Sequence, residues 1–257
     1  MSLDFLLFVV VGFLAQIVDG ALGMAYGVVS TTVLLSFGVA PANASASVHA
    51  AELFTTLASA ASHLWYRNVD RRLFWRLAPA GVVGGVVGAF VLTSIDGATI
   101  KPIIVAYMAV MGVVIIWRTL RALKPRHETV RGVAALGAVG GFVDAVGGGG
   151  WGPVVTTTLV GAGGQPRYVI GTVNTAEFLV TAAVSATFIA ALLTGHWDDA
   201  GDLTENATAV AGLIVGGLLA APLAGYVVKR ISPRMLGIGV GALVLILVAY
   251  QTVRLIG

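Results

Sequence analysis

The sequence contains no cysteine among its 257 residues. A disulfide framework, thiol catalysis and Cys-based metal sites are thereby excluded, and the redox compartment is left undetermined. Charge is almost as scarce, at 11% of residues against about a quarter in a soluble domain. With 58% apolar residues and a mean hydropathy of +0.95, the chain is not built to face water on all sides. No basic residue precedes Arg67. The positive n-region of a secretory signal is therefore missing, and the first apolar stretch is expected to stay in the mature protein. Also missing are HExxH, Walker A and Ser-His-Asp patterns, and His196 has no partner at ligand spacing. Nothing indicates an enzyme, a bound metal or a cofactor.

What is present is hydrophobic length. Six stretches, roughly 43–65, 77–95, 99–117, 168–193, 207–228 and 235–254, suit one bilayer crossing each, about 20 residues at a 1.5 Å rise. Two more, 3–37 and 131–162, would each reach about 50 Å as a single helix, against about 30 Å of hydrocarbon. Both are interrupted near the middle. The first carries Asp19-Gly20 with Gly23 and Gly27, and the second carries Asp144 followed by Gly147 to Gly150, Trp151, Gly152 and Pro153. Such interruptions favour a broken helix or a hairpin that enters the membrane and returns.

The two interrupted segments are copies. An ungapped offset of 125 pairs Asp19 with Asp144, Gly23 with Gly148, Tyr26 with Trp151, Gly27 with Gly152, Pro41 with Pro166 and Glu52 with Glu177. Downstream the register slips, yet Val83-Gly84-Gly85 still answers Val215-Gly216-Gly217. An internal duplication with no long hydrophilic linker predicts one functional domain over residues 1–257.

Charge then selects a topology. If both long segments are hairpins, all lysines and arginines except Lys101 and Arg254 fall on one side, opposite the acidic loop of Asp198, Asp199, Asp202 and Glu205. Single crossings divide them less sharply, so the positive-inside rule favours hairpins, with both termini outside. The same rule explains the net charge of +3 and the pI near 9.4 without nucleic acid. Each half then holds three crossings, and an odd number inverts the second half. The expected fold is an all-α integral membrane protein of two inverted repeats, about 3–120 and 131–257, each a broken or re-entrant helical hairpin plus three transmembrane helices. Inverted repeats with interrupted helices are a transporter architecture, with substrate held near the midplane.

The candidate substrate-binding residues are Asp19, Gly23, Tyr26, Gly27, His49 and Glu52 in the first half, and Asp144, Gly148, Gly149, Gly150, Trp151, Asn174 and Glu177 in the second. Glycines beside a half-helix start let an anion approach backbone N–H groups closely. On that reading Gly149→Val stops transport while leaving the protein intact. Gly81, Gly84, Gly85, Gly88, Gly212, Gly216 and Gly217 read instead as close helix packing. The four duplicated carboxyls sit in apolar sequence, where ionisable groups are costly and tend to serve function. His49 shares a helical face with Glu52, and Asn174 with Glu177. Asp19 and Asp144 also suit capping of the returning helices, and Glu52 and Glu177 suit bracing of the hairpins or, less well, proton coupling. His63, Trp65, Tyr66, Trp75, Trp117 and Trp197 read as interfacial anchors.

The run Gly140-Gly141-Phe142-Val143-Asp144-Ala145-Val146-Gly147-Gly148-Gly149-Gly150-Trp151-Gly152-Pro153, with Gln165-Pro166-Arg167 and Gly171-Thr172-Val173-Asn174, strongly resembles the TauE/SafE sulfite exporter family. The copy from Asp19 to Glu52 is similar to the same signature, although Leu22, Met24 and Ala25 make its turn bulkier. The resemblance implies a multi-pass carrier in the bacterial cytoplasmic membrane for sulfite, sulfonates or related small sulfur-containing anions. Its partners would be the small anionic solute and the lipid bilayer. The oligomeric state stays open, a homodimer being one option. An alternative stands beside it: four buried carboxyls also suit a carrier of sodium or a metal cation.

Overall fold

The computed structural model describes residues 3–121, 132–197, 203–230 and 233–256. The basic connection 122–131 and the acidic residues Asp198, Asp199 and Asp202 lie outside the described residues, as do the side chains of Glu205, Lys229 and Arg230. The described residues form helices and turns: α1 (Leu3–Leu22), α2 (Tyr26–Ser36), α3 (Pro41–Trp65), α4 (Arg71–Thr93), α5 (Gly97–Leu120), α6 (Val133–Gly147), α7 (Thr157–Gly161), α8 (Pro166–Leu193), α9 (Leu203–Arg230) and α10 (Pro233–Ile256). Their starts follow from local chemistry. Pro41 and Pro166 occupy first helical positions, where the missing N–H is not needed. Asp70 and Asp96 accept N–H bonds from the first turns of α4 and α5, the usual cap.

Four helices, Arg71–Thr93, Gly97–Leu120, Pro166–Leu193 and Arg234–Ile256, are long and apolar enough to cross a membrane. Helix α3 is as long but more polar, carrying Asn43, Ser45, Ser47, His49, Glu52, Thr55 and Thr56. Most of these are buried, so α3 turns its polar face into the bundle and Phe54, Leu57 and Leu64 outward, as its neighbours turn Val, Leu, Ile and Phe.

Both interrupted segments double back. The Phe37 ring, just past α2, packs 6.0 Å from the Phe8 ring of α1. A straight continuation would separate these residues by about 40 Å at helical rise. In the second segment, Gly140 of α6 lies against Val155 and Trp151, and the returning arm opens with a π-helical turn, Gly152–Thr156, before α7. The turns match as well, for Gly23 and Gly148 share φ near +63°, a conformation glycine adopts without cost. In the bulkier first turn Ala25 also takes a positive φ.

The halves exchange helices. α1 lies along α9, and its counterpart α6 lies along α4; α3 meets α8 and α5 meets α10. The glycine stripes make this possible. A side chain at Gly84 would strike the Ala138 carbonyl of α6, and one at Gly216 the Val9 carbonyl of α1. Such close approach is what small residues allow in membrane bundles. At one end of the bundle Arg167 donates to Asn68 at 2.6 Å. At the other, Ser94 lies 2.7 Å from His196, which stacks on Phe90. Trp65, Tyr66, Trp75 and Trp117 are exposed near helix ends. Trp197 is not an exposed anchor: it is buried against Phe188, because the chain leaving α8 folds inward over α3 and α9.

Candidate functional site

Three cavities follow one another along the seam of α3, α8 and α9. At the end bearing Ser94 and His196, a cavity of about 350 Å³ is lined mainly by apolar groups, among them Phe188, Leu192, Trp197, Val210 and Ile214, with Asn43 and Ser47. At the opposite end a vestibule of about 500 Å³ is lined by Gln16, Asp19, Gly23, Ser59, His63 and Asn174, among others. Between them is a tight polar chamber of Gln16, Asp19, Tyr26, Glu52, Thr55, Thr56, Ser59, Asn174 and Glu177. Its free space is about 10 Å³, roughly that of one water molecule. Chamber and vestibule share Gln16, Asp19, Thr55, Ser59 and Asn174. Chamber and apolar cavity share no lining residue; where they approach, the Tyr26 hydroxyl donates to the Leu213 carbonyl at 3.1 Å.

Helical spacing places the chamber. Glu52 and Glu177 each stand eleven residues beyond the proline that opens their helix, about 16 Å along it, which is half the thickness of a bilayer core. Glu52 is 4% exposed, and its Oε2 finds no hydrogen-bond partner among the described residues; Gln16 Oε1 is likewise unpartnered. Asn174 donates to Ser59 at 3.2 Å. Thr55 and Thr56 return their hydroxyls to the Glu52 carbonyl, the back-bonding common for threonine in helices.

The candidate residues thus fall into three groups. Asp19, Tyr26, Glu52, Asn174 and Glu177 meet in the chamber, and Gly23 lines the vestibule. His49 and Asp144 form a separate buried pair. The His49 Nδ1 lies 2.8 Å from the Ser45 carbonyl, which can only accept, a geometry that assigns the proton to Nδ1; Nε2 faces Asp144 Oδ2 at 3.3 Å. The other Asp144 oxygen accepts the Trp151 N–H at 2.8 Å, and Asp19 likewise accepts the Tyr26 N–H. Both aspartates therefore tie down the start of a returning arm. Despite the spacing that puts His49 on the face of Glu52, its carboxyl partner is Asp144, presented by α6.

Gly27, Gly148, Gly149 and Gly150 form the third group. They are buried where the two hairpins touch, outside the chamber lining. A Cβ at Gly27 would lie 2.7 Å from the Gly149 Cα, and one at Gly148 would overlap Thr31. Thr31 donates to the Gly148 carbonyl, and Tyr107 to the Gly149 carbonyl at 2.9 Å. Trp151 is fully buried, with its indole N–H on the Val173 carbonyl at 3.1 Å and its ring against Gly81.

Sequence reasoning overlooked Gln16 and Ser59 and the seam as a whole. A signal was there: Glu52, Thr55 or Thr56, Ser59 and Ser62 recur every three or four residues along α3, one polar stripe on a helix, and Gln16 precedes Asp19 by three. Among the described residues no three of His, Asp and Glu converge closely enough to hold a metal ion.

The sulfite exporter TauE/SafE family model matches residues 8–251. The chain is 40% identical, over 248 residues, to the "Probable membrane transporter protein YtnM" of Bacillus subtilis (strain 168), covering 94% of this chain and 80% of that one. No solved structure matches.

Proposed function

The chain belongs to the sulfite exporter TauE/SafE family, and from that premise we propose that it carries a small sulfur-containing anion across the bacterial cytoplasmic membrane by alternating access. Sulfite, a sulfonate or a related oxyanion is the intended solute. The membrane setting and the transporter class come with the family. The finer reading rests on one observation above the others: a polar chamber at half depth, joined to a wide vestibule on one side and separated from a second cavity on the other. A carrier caught open to one side has this form. Residues 1–257 then act as one transport domain of two inverted repeats, each a re-entrant hairpin plus three crossings. The vestibule opens at the end of Asn68 and Arg167, which the positive-inside rule assigns to the cytoplasm.

In this reading the solute enters the vestibule and reaches Gln16, Ser59 and Asn174, whose amides and hydroxyl can donate to an oxyanion. Asp19 and Glu177 bound the same space. The contact of Gly27 with Gly148 and Gly149, and the Tyr26 bond to Leu213, would break or shift as access passes to the other side.

One observation favours a cation instead. Three carboxyl groups line the chamber and no lysine or arginine does. Uptake of radiolabelled sulfite into proteoliposomes decides between the two. The anion reading expects saturable uptake, competed by a sulfonate and indifferent to divalent cations. Tight divalent-metal binding that disappears in Glu52→Gln and Glu177→Gln would put the cation first.

A further inference from the structure

We propose that the tight chamber is a proton-binding site in which Glu52 takes up and releases the proton, and that this step is coupled to solute movement. The coupling half rests on the carrier reading; the proton site does not.

Size comes first. Free space of about 10 Å³ admits a water molecule at most, so the solute belongs in the vestibule of about 500 Å³. What the chamber can accept without moving a helix is a proton. Hydrogen bonding comes next. Glu52 Oε2 and Gln16 Oε1 are both buried acceptors without a donor among the described residues, and both residues line this chamber. Two unpaired acceptors facing one enclosed space leave each other costly. A proton on Oε2 turns one of them into a donor.

Charge points the same way. The groups around Glu52 are Asp19 from α1, Tyr26 from α2 and Glu177 from α8, which line the chamber with it, and Asp144 from α6, whose carboxyl also acts on it. One layer away, His49 of α3 is engaged with Asp144 of α6. No titratable residue of α9 lines the chamber. With no lysine or arginine among its walls, three carboxylates would repel one another in a low dielectric, and a proton on one of them relieves that repulsion.

The duplication shows why Glu52 is the one. His49 and Asn174 are equivalent positions at the offset that pairs Asp19 with Asp144. On the second-half side, the imidazole ring of His49 fills the place beside the aspartate, with Nε2 at 3.3 Å from Asp144 Oδ2. On the first-half side the equivalent residue is Asn174, which donates to Ser59, and the space stays open. Asp19 is tied to the Tyr26 N–H, whereas Glu52 Oε2 is tied to nothing among the described residues. Glu52 also touches the moving part: a Cβ at Gly27 would meet Glu52 Oε1 and the Gly149 Cα together. The proton would thus be gained or lost beside the contact between the hairpins. The bond formed is O–H on Glu52, and the proton comes from water in the vestibule and leaves to water on the opposite side.

Infrared difference titration of the purified protein in nanodiscs tests the site without any solute. The expected result is a protonated-carboxyl band that grows on acidification, moves when glutamate is isotope-labelled and is lost in Glu52→Gln. A band that persists in folded Glu52→Gln, or that moves with labelled aspartate instead, overturns the proton site. Labelling of the wild type keeps the test decisive should Glu52→Gln not fold. For coupling, sulfite accumulation driven by a pH gradient is compared with exchange at equal pH, protein-free liposomes being subtracted. Glu52→Gln is expected to lose at least tenfold in the ratio of gradient-driven accumulation to its own exchange at equal pH. An equal ratio in wild type and variant overturns the coupling. If the wild type exchanges no sulfite, the sulfite reading of the preceding subsection fails, and the infrared band still decides the proton site.

Discussion

Gly149→Val is expected to yield no monodisperse protein. A Cβ at this position would overlap the Gly27 carbonyl carbon and the Val28 nitrogen, and would lie 2.7 Å from the Gly27 Cα. These are backbone atoms of the opposing hairpin, which no rotamer change can move. Overpacking by side chains costs about 1–3 kcal/mol when neighbours can yield, and here the two hairpins must separate instead. The Tyr107 bond to the Gly149 carbonyl and the Thr31 bond to the Gly148 carbonyl would be strained with them. The sequence alone suggests the opposite outcome, an intact protein without transport, because a glycine run beside an aspartate reads as a surface offered to an anion. Size-exclusion profiles of detergent extracts decide: a wild-type peak for Gly149→Val would show that the hairpins do not meet here. Gly85→Val should be milder. Its Cβ would meet the Val184 side chain at 2.7 Å, and a side chain can turn away.

The second large effect is expected at His49. His49→Leu leaves Asp144 buried, 3% exposed, with the Trp151 N–H as its remaining partner among the described residues. Removing one member of a buried pair costs about 3–5 kcal/mol, whereas replacing both by apolar groups is often near neutral. Thermal unfolding in detergent should therefore show a large fall for His49→Leu. Asp144→Asn should fall less, since its amide oxygen still accepts the Trp151 N–H. The doubly apolar variant, His49→Leu with Asp144→Leu, should recover part of the loss, though not the bond to Trp151. Additive losses in the two singles and the double would mean that the residues do not interact.

Much of the scaffold was legible because membrane helices announce themselves by length. The six stretches read as crossings coincide with helices α3, α4, α5, α8, α9 and α10 to within a few residues at most ends, four of them (α4, α5, α8 and α10) long and apolar enough to cross a membrane, and the interruptions at 23–25 and 148–150 coincide with the two turns. The duplication also pointed to the carboxyls, and Asp19, Glu52 and Glu177 do share one chamber. What could not be read was the partner of each residue. Spacing placed His49 beside Glu52, but α6 supplies Asp144 to it across 95 residues of sequence. Glycine ambiguity has the same origin. A residue without a side chain serves a ligand or a neighbouring backbone equally well, and only the position of the opposing hairpin tells which. Trp197 went astray for a related reason: its place near a span end resembles an anchor, while its ring turns inward to Phe188.

The proposed solute route runs along the seam of α3, α8 and α9 through the space beside Ser59, which lines both chamber and vestibule. It is tested most directly by sulfite exchange in proteoliposomes carrying Ser59→Trp. The indole should fill the junction from the vestibule side, where free space of about 500 Å³ can receive it, so the variant is expected to elute as the wild type does. Saturable exchange by the wild type and at least a tenfold loss in Ser59→Trp are expected. A folded Ser59→Trp protein that exchanges sulfite at the wild-type rate would contradict that route.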